Sequence, residues 1–175
     1  MEDIEFLKNA IFGKKVGAIS RSSRFVVRSV LSNLKGQSFE KIVEYGPGDG
    51  VLTKELLKLL TPNGKILLVE TDENFVEILN KIEDTRITVV NKKMEDVASS
   101  LSEYYFEECD LIVSSIPFSL IEKGDRQAVV KNSFNSLKPG GKFIVFHQYS
   151  KLMEKYISKY FKKVKTNFEP RNIFP

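Results

Sequence analysis

Residues 41–60 read KIVEYGPGDGVLTKELLKLL, and this stretch decides the fold. Lys41–Tyr45 carries Ile42, Val43 and Tyr45 in a run with the composition of a buried strand. Beyond it, Leu52, Leu56, Leu59 and Leu60 recur at helical spacing. Between the two lies Glu44-Tyr45-Gly46-Pro47-Gly48-Asp49-Gly50. Glycines at 46, 48 and 50 let the backbone turn sharply and approach a ligand with no Cβ in the way. The carboxyl end of the first strand is also where open α/β sheets hold cofactors. The spacing excludes the dinucleotide fingerprint G-x-G-x-x-G, because the third glycine follows the second by two residues. No Gly-Lys-Ser/Thr follows either, so pyrophosphate binding is disfavoured.

Outward from this segment, β-type runs alternate with helical periodicity. Further strands are expected at Lys65–Glu70, Ile87–Asn91, Leu111–Ser114 and Lys142–His147. Helices are expected around Phe75, Leu79 and Ile82, around Val130, Phe134 and Leu137, and around Met153, Tyr156, Ile157 and Tyr160. Pro62-Asn63-Gly64 and Pro139-Gly140-Gly141 read as turns that end a helix before a strand. The alternation predicts an α/β fold, a doubly wound sheet with helices on both faces. Ahead of it, Ile4, Leu7 and Ile11 mark one amphipathic helix, and Ser23 to Leu34 a second that turns Val26, Val27, Val30, Leu31 and Leu34 inward. The expected organisation is one domain over residues 1–175, with a helical, acceptor- or membrane-facing segment at 1–40 and an α/β core at 41–175.

The second strand ends in Val69-Glu70-Thr71-Asp72. An acidic residue at that tip can accept both ribose hydroxyls of an adenosine.

Composition narrows the class. Of the 175 residues, 42% are hydrophobic and 29% charged, which is ordinary globular usage. No apolar run approaches the ~18 residues of a membrane span, and the charged N-terminus does not read as a secretory leader. One cysteine, Cys109, and one histidine, His147, exclude a disulfide framework and the usual Cys/His zinc sites. The expectation is a soluble, cytoplasmic protein, with peripheral contact at the inner face of the cell membrane allowed. The net charge of +4 is segregated. Residues 1–35 hold seven Lys/Arg against three Asp/Glu, residues 36–141 twelve against eighteen, and residues 142–175 eight against two. Basic ends suit an anionic partner, a lipid surface or nucleic acid; equally, lysine is the common solvated residue, and 21 of the 27 basic residues are Lys.

Glu44 to Gly50, Glu70 and the strand–helix alternation together resemble the class I S-adenosylmethionine-dependent methyltransferases, whose first motif is an acidic residue followed by G-x-G-x-G. The resemblance implies a Rossmann-like sheet and S-adenosyl-L-methionine as cofactor. It places Glu44, Gly46, Gly48 and Gly50 around the methionine part and Glu70, with Thr71 beside it, at the ribose. Met94 and Glu95 would flank the adenine, and Ser114 would lie near the methionine portion. The family closes its sheet with a seventh, antiparallel strand. Here Lys162 to Phe168 can supply the sixth, and the last antiparallel strand is expected to be lacking.

The segment after the fourth strand, Ser115-Ile116-Pro117-Phe118, stands where such enzymes contact the methyl acceptor. The rRNA adenine dimethylases have N-[LI]-P-[YF] there; Ser115 replaces the Asn that recognises adenine. The bacterial phospholipid N-methyltransferases are resembled more broadly. Val16-Gly17-Ala18-Ile19 and Ser22-Ser23 match their N-terminal V-G-A-[IV]-x-P-S-S signature, with Arg21 for the Pro. Ser115-Ile116-Pro117 stands where they have G-L-P, and Asn172-Ile173-Phe174-Pro175 is similar to their N-[LI]-P-P. This resemblance implies N-methylation of a head-group amine such as that of phosphatidylethanolamine. Ser115, Pro117, Phe118 and Tyr149 are the candidate acceptor-site, catalytic residues. Tyr149 could face a developing quaternary ammonium; Ser22, Ser23 and Arg24 could hold a lipid phosphate. His147 reads as a packed residue more than as a base. RNA adenine methylation, a small-molecule acceptor and a cofactor-binding domain without catalysis stay open.

Overall fold

A computed structural model describes residues 24–118, 121–146 and 151–167, with only the backbone of Arg24 and Lys151. The expected first helix, Ser22, Ser23, His147, Tyr149 and the 172–175 motif lie outside the described residues.

Helix α1 (Arg24–Ser32) leads into β1 (Phe39–Tyr45), α2 (Val51–Leu57), β2 (Leu60–Glu70), α3 (Glu73–Leu79), β3 (Ile87–Asn91) and α4 (Met94–Ala98). A single 3-10 turn (Leu101–Tyr104) precedes β4 (Cys109–Ser114), α5 (Lys123–Ser136), β5 (Leu137–Val145) and α6 (Lys151–Ile157). The strands form one sheet in the order β3-β2-β1-β4-β5, and every pair is parallel.

Side-chain alternation sorts the core into two layers. Val43, Tyr45, Leu67, Val69 and Ile112 point to one face, where Met94, Val97, Val129, Val130, Met153 and Tyr156 from α4, α5 and α6 cover them. Ile42, Ile66, Leu68, Leu111 and Val113 point to the other, under α1, α2 and α3 with Val26, Val27, Val30, Leu52, Leu56 and Leu79. α1 therefore buries its apolar stripe against its own sheet. β4, buried along its whole length, has the continuous apolar character of an interior parallel strand.

Three expectations are corrected. Leu60 and Leu137 read as helical, but each begins a strand: Leu60 pairs with Phe39 and Leu137 with Cys109. The proline–glycine turns therefore lie within β2 and β5, as bulges that resume pairing at Lys65 and Lys142. The reason is close backbone approach. A Cβ on Gly64 would stand 2.9 Å from the Phe39 carbonyl oxygen, and one on Gly141 2.9 Å from that of Cys109, so glycine is what lets the bulge fold against the neighbouring strand. The strand expected at Lys142–His147 ends earlier, at Val145. Finally, Lys162–Asn167 form no strand and are exposed throughout. Their lysines favour water, and only Val164 is apolar. Among the described residues β5 is thus an edge strand, and no antiparallel strand is present.

Candidate active site

The strand order reverses between β1 and β4: from β1 the chain builds outward to β2 and β3, then returns to β4 on the other side. Beyond the carboxyl ends of these two strands lies the crevice that such a sheet offers a ligand. Register brings the tips into line, with Tyr45 opposite Val69 and Ser114, and Glu70 opposite Asn91.

Gly46, Gly48 and Gly50 all hold positive φ, at 71°, 57° and 76°, a conformation that disfavours a Cβ. Their surroundings differ. Gly46 faces the segment after β4, where an added Cβ would lie 2.7 Å from Ile116 Cγ1 and 3.2 Å from Ser115 Oγ. Gly50, at the N-cap of α2, is pressed against Leu79 and Ile82, 3.1 and 3.3 Å from such a Cβ. Its small size thus serves α2–α3 packing as well as the turn.

Two carboxylates flank this loop. Glu70, at the tip of β2, accepts the N–H of Gly48 at 3.1 Å on Oε2 and those of Thr71 and Asp72 at 2.7 and 3.1 Å on Oε1. That fixes it as an acceptor and leaves Oε2 capacity for a hydroxyl. Asn91 holds the tip from β3 by donating to the Glu70 carbonyl at 3.0 Å. Glu44 is wholly buried on β1 and accepts from Thr53 Oγ1 at 2.7 Å. Burial pushes its carboxyl up to about 7; the Thr53 hydroxyl opposes the rise and the Glu70 charge adds to it.

On the far side, Ser114 and Met94 are both buried, and the Ser114 hydroxyl points at the Met94 sulfur, 3.8 Å away. Glu95, half-buried, sits in the first turn of α4. Ser115 is tied to β1 through its own N–H on the Tyr45 carbonyl at 3.0 Å and its hydroxyl on the Gly46 carbonyl. Ile116 and Pro117 are half-buried. Phe118 is fully enclosed in the core with Met94 and Val130, so its ring offers no open face for stacking. Of the candidate residues, the structure brings together Glu44, Gly46, Gly48, Gly50, Glu70, Thr71, Ser114 and Ser115 at one edge of the sheet. Thr53 was not anticipated. The signal was a hydroxyl among the inward-facing Leu52, Leu56 and Leu57 of α2.

Away from the crevice, burial raises the Cys109 thiol to about 12, and its Sγ donates to the Phe106 carbonyl at 2.7 Å; it is a packed core residue. No group of three or more potential metal ligands occurs among the described residues.

The crevice suits S-adenosylmethionine by its donor set. A carboxylate at the β2 tip matches a ribose diol, positive-φ glycines admit close approach, and two acids beside the loop match a cation. Comparison with known proteins agrees. A family model described as methyltransferase domain matches residues 43–143. The ornithine lipid N-methyltransferase of Singulisphaera acidiphila is 24% identical over 165 residues, 93% of this chain and 86% of that protein. The ribosomal RNA small subunit methyltransferase A of Blochmanniella floridana is 28% identical over 89 residues, but these are 50% of this chain and 32% of that protein. Among solved structures, the N-methyltransferase NodS from Bradyrhizobium japonicum superposes with a TM-score of 0.59 at 14% identity, over 75% of this chain and 72% of that one. The precorrin 8w decarboxylase from Methanobacterium thermoautotrophicum gives 0.63 at 14% identity, over 85% and 76%. At such identities these two likenesses are of fold alone. The family match runs from the end of β1 through most of β5, over the strand tips that make the crevice, and the chain belongs to the methyltransferase domain family as a class I, S-adenosylmethionine-dependent methyltransferase.

Proposed function

We propose that this enzyme methylates the amine of a lipid head group, such as that of phosphatidylethanolamine. The observation that carries the reading is coverage. The likeness to the ornithine lipid N-methyltransferase runs over nearly the whole of both chains, whereas the likeness to the ribosomal RNA enzyme covers half of this one. Ser115 in place of an Asn, and a Phe118 ring closed into the core, also argue against a site built to grip adenine.

S-adenosylmethionine, when bound, supplies an electrophilic methyl group on a sulfonium. Glu70 would hold the ribose, and Gly46 and Gly48 would admit the methionine part. Ser115 anchors the segment after β4 against Gly46, so Ile116 and Pro117 would be the residues that hold a nucleophile toward the methyl group. In such a transfer the amine lone pair would form the new C–N bond as the C–S bond broke with its electrons left on sulfur, and the ammonium product would release a proton to water. Positioning supplies most of the acceleration. The half-buried Ile116 and Pro117 help exclude water, which lowers the acceptor's pKa and favours the neutral amine. Ser22, Ser23 and Arg24 are the proposed head-group phosphate ligands and Tyr149 the aromatic facing the methylated nitrogen. The proposed partner is a membrane surface met from one side; no helix among the described residues is long and apolar enough to cross a membrane.

Methyl transfer from labelled S-adenosylmethionine is measured into liposomes of phosphatidylethanolamine, liposomes of an ornithine-containing lipid, and bare ribosomal RNA. Label in either lipid extract supports the proposal and identifies the head group. Label in RNA alone overturns it in favour of adenine methylation; label in none, with the cofactor bound, points to a small-molecule acceptor or a domain without catalysis.

A further inference from the structure

Two acids flank the glycine loop. Among the described residues neither Glu44 nor Glu70 forms an ion pair. Glu70 is compensated by backbone N–H donors. Glu44 is 1% exposed, and its partners across the sheet, Leu68 and Val113, are apolar. Among the described residues the polar or titratable groups acting on it are the Thr53 hydroxyl from α2 and the Glu70 carboxylate from β2, and these oppose each other. A hydroxyl that donates to a carboxylate favours its ionised form, while burial and a second negative charge favour the neutral one. Thr53 is itself fully buried, and its hydroxyl sits 2.7 Å from Glu44 Oε2. A valine at this position would fill nearly the same space without the donor.

Transfer changes the charge of the bound cofactor. The donor carries a sulfonium; after the C–S bond breaks, the sulfur is a neutral thioether and the positive charge has left with the methylated acceptor. We propose that Thr53 is a positioning residue that holds Glu44 as the carboxylate beneath the glycine loop, so that the site prefers the cationic methyl donor to the thioether product. This holds for any acceptor and so does not rest on the lipid reading. With Glu44 pushed up to about 7, the preference is set near neutral pH. It is weak where Glu44 is protonated and full where Glu44 is ionised.

Isothermal titration calorimetry of S-adenosylmethionine and S-adenosylhomocysteine tests this between about pH 6 and about pH 9, with no acceptor present. In the unsubstituted enzyme the ratio of the two affinities rises with pH in favour of the donor. Thr53→Val moves this rise to higher pH, so that near neutral pH the preference falls about three- to tenfold, while at the alkaline end it recovers. Thr53→Ser keeps the original profile, and Glu44→Gln gives a low ratio that does not change with pH. A flat ratio in the unsubstituted enzyme overturns the proposal, even if Thr53→Val does not fold. So does a Thr53→Val profile that coincides with the unsubstituted one, or an equal loss in the valine and serine variants, since a purely structural role predicts no shift of the pH midpoint.

Discussion

Gly46 and Ile116 are in contact across the crevice: a Cβ placed on the glycine would stand 2.7 Å from Ile116 Cγ1. One residue of the glycine loop and one of the segment after β4 therefore share a boundary, and the Ser115 hydroxyl closes it by donating to the Gly46 carbonyl. On the function proposed above, in which nucleophile and methyl carbon must be brought into line, this boundary would set their separation.

Gly46→Ala combines two penalties, a left-handed φ of 71° and the clash with Ile116. Gly36 has nearly the same φ, 74°, but open space where its Cβ would be. Gly36→Ala is expected to cost about 1 kcal/mol of stability through backbone strain alone and to leave cofactor affinity unchanged. Gly46→Ala is expected to lose as much stability and to weaken S-adenosylmethionine at least about tenfold as well. Thermal melting with calorimetric binding checks both; equal cofactor affinity in the two variants would show that the contact with Ile116 is immaterial.

Glu44 makes stability depend on pH in a direction unusual for a carboxylate. Its folded value, about 7, lies above the ordinary 4.5, so the folded state holds a proton that the unfolded chain has lost. Stability is fullest below the ordinary value, falls as pH rises between the two, and is level above about 7. Glu44→Gln removes the penalty. It is expected to be more stable than the unsubstituted protein above this window, by up to about 3 kcal/mol, and to match it near pH 4. Urea unfolding at both pH values checks this, and a variant less stable at alkaline pH would contradict it.

Asp110 acts oppositely at the other end of the sheet. Its Oδ2 accepts the N–H groups of Glu40 and Lys41, each at 2.8 Å, and its Oδ1 is paired with Lys138. Burial works to raise its pKa, but Lys138 and the two N–H donors outweigh it and hold the carboxyl below the ordinary range. The stability it contributes is present above the ordinary value of 3.8 and is lost as pH falls below it. Asp110→Ala leaves both N–H donors at the start of β1 without this acceptor and is expected to cost about 2 kcal/mol near neutral pH. The difference should shrink in acid, as urea titrations near pH 7 and near pH 3 would show.

Most of the glycine-loop side of the crevice was legible because its signals are local. A strand, glycines that permit a turn and a helix follow one another within residues 41–57, and Glu70 is read from the end of the next apolar run. The segment after β4 was less legible. Phe118 is an aromatic placed where stacking is expected, yet it is fully buried in the core cluster that also holds Met94 and Val130. Leu60 and Leu137 continue a helical period but start strands, because pairing with Phe39 and Cys109 outweighs propensity at a helix end.

By itself the sequence determined the α/β alternation, the glycine loop at the end of β1 and the acid at the end of β2. Each follows from backbone conformation and periodicity among residues close in the chain. Only the tertiary structure decided that Thr53 donates to Glu44, that Ser115 closes on Gly46, 69 residues away, and that Asp110 grips the start of β1. Those contacts depend on which strands become neighbours and in what register. In a parallel sheet both are set by packing of the two helical layers over the whole core, a property that no local run of residues contains.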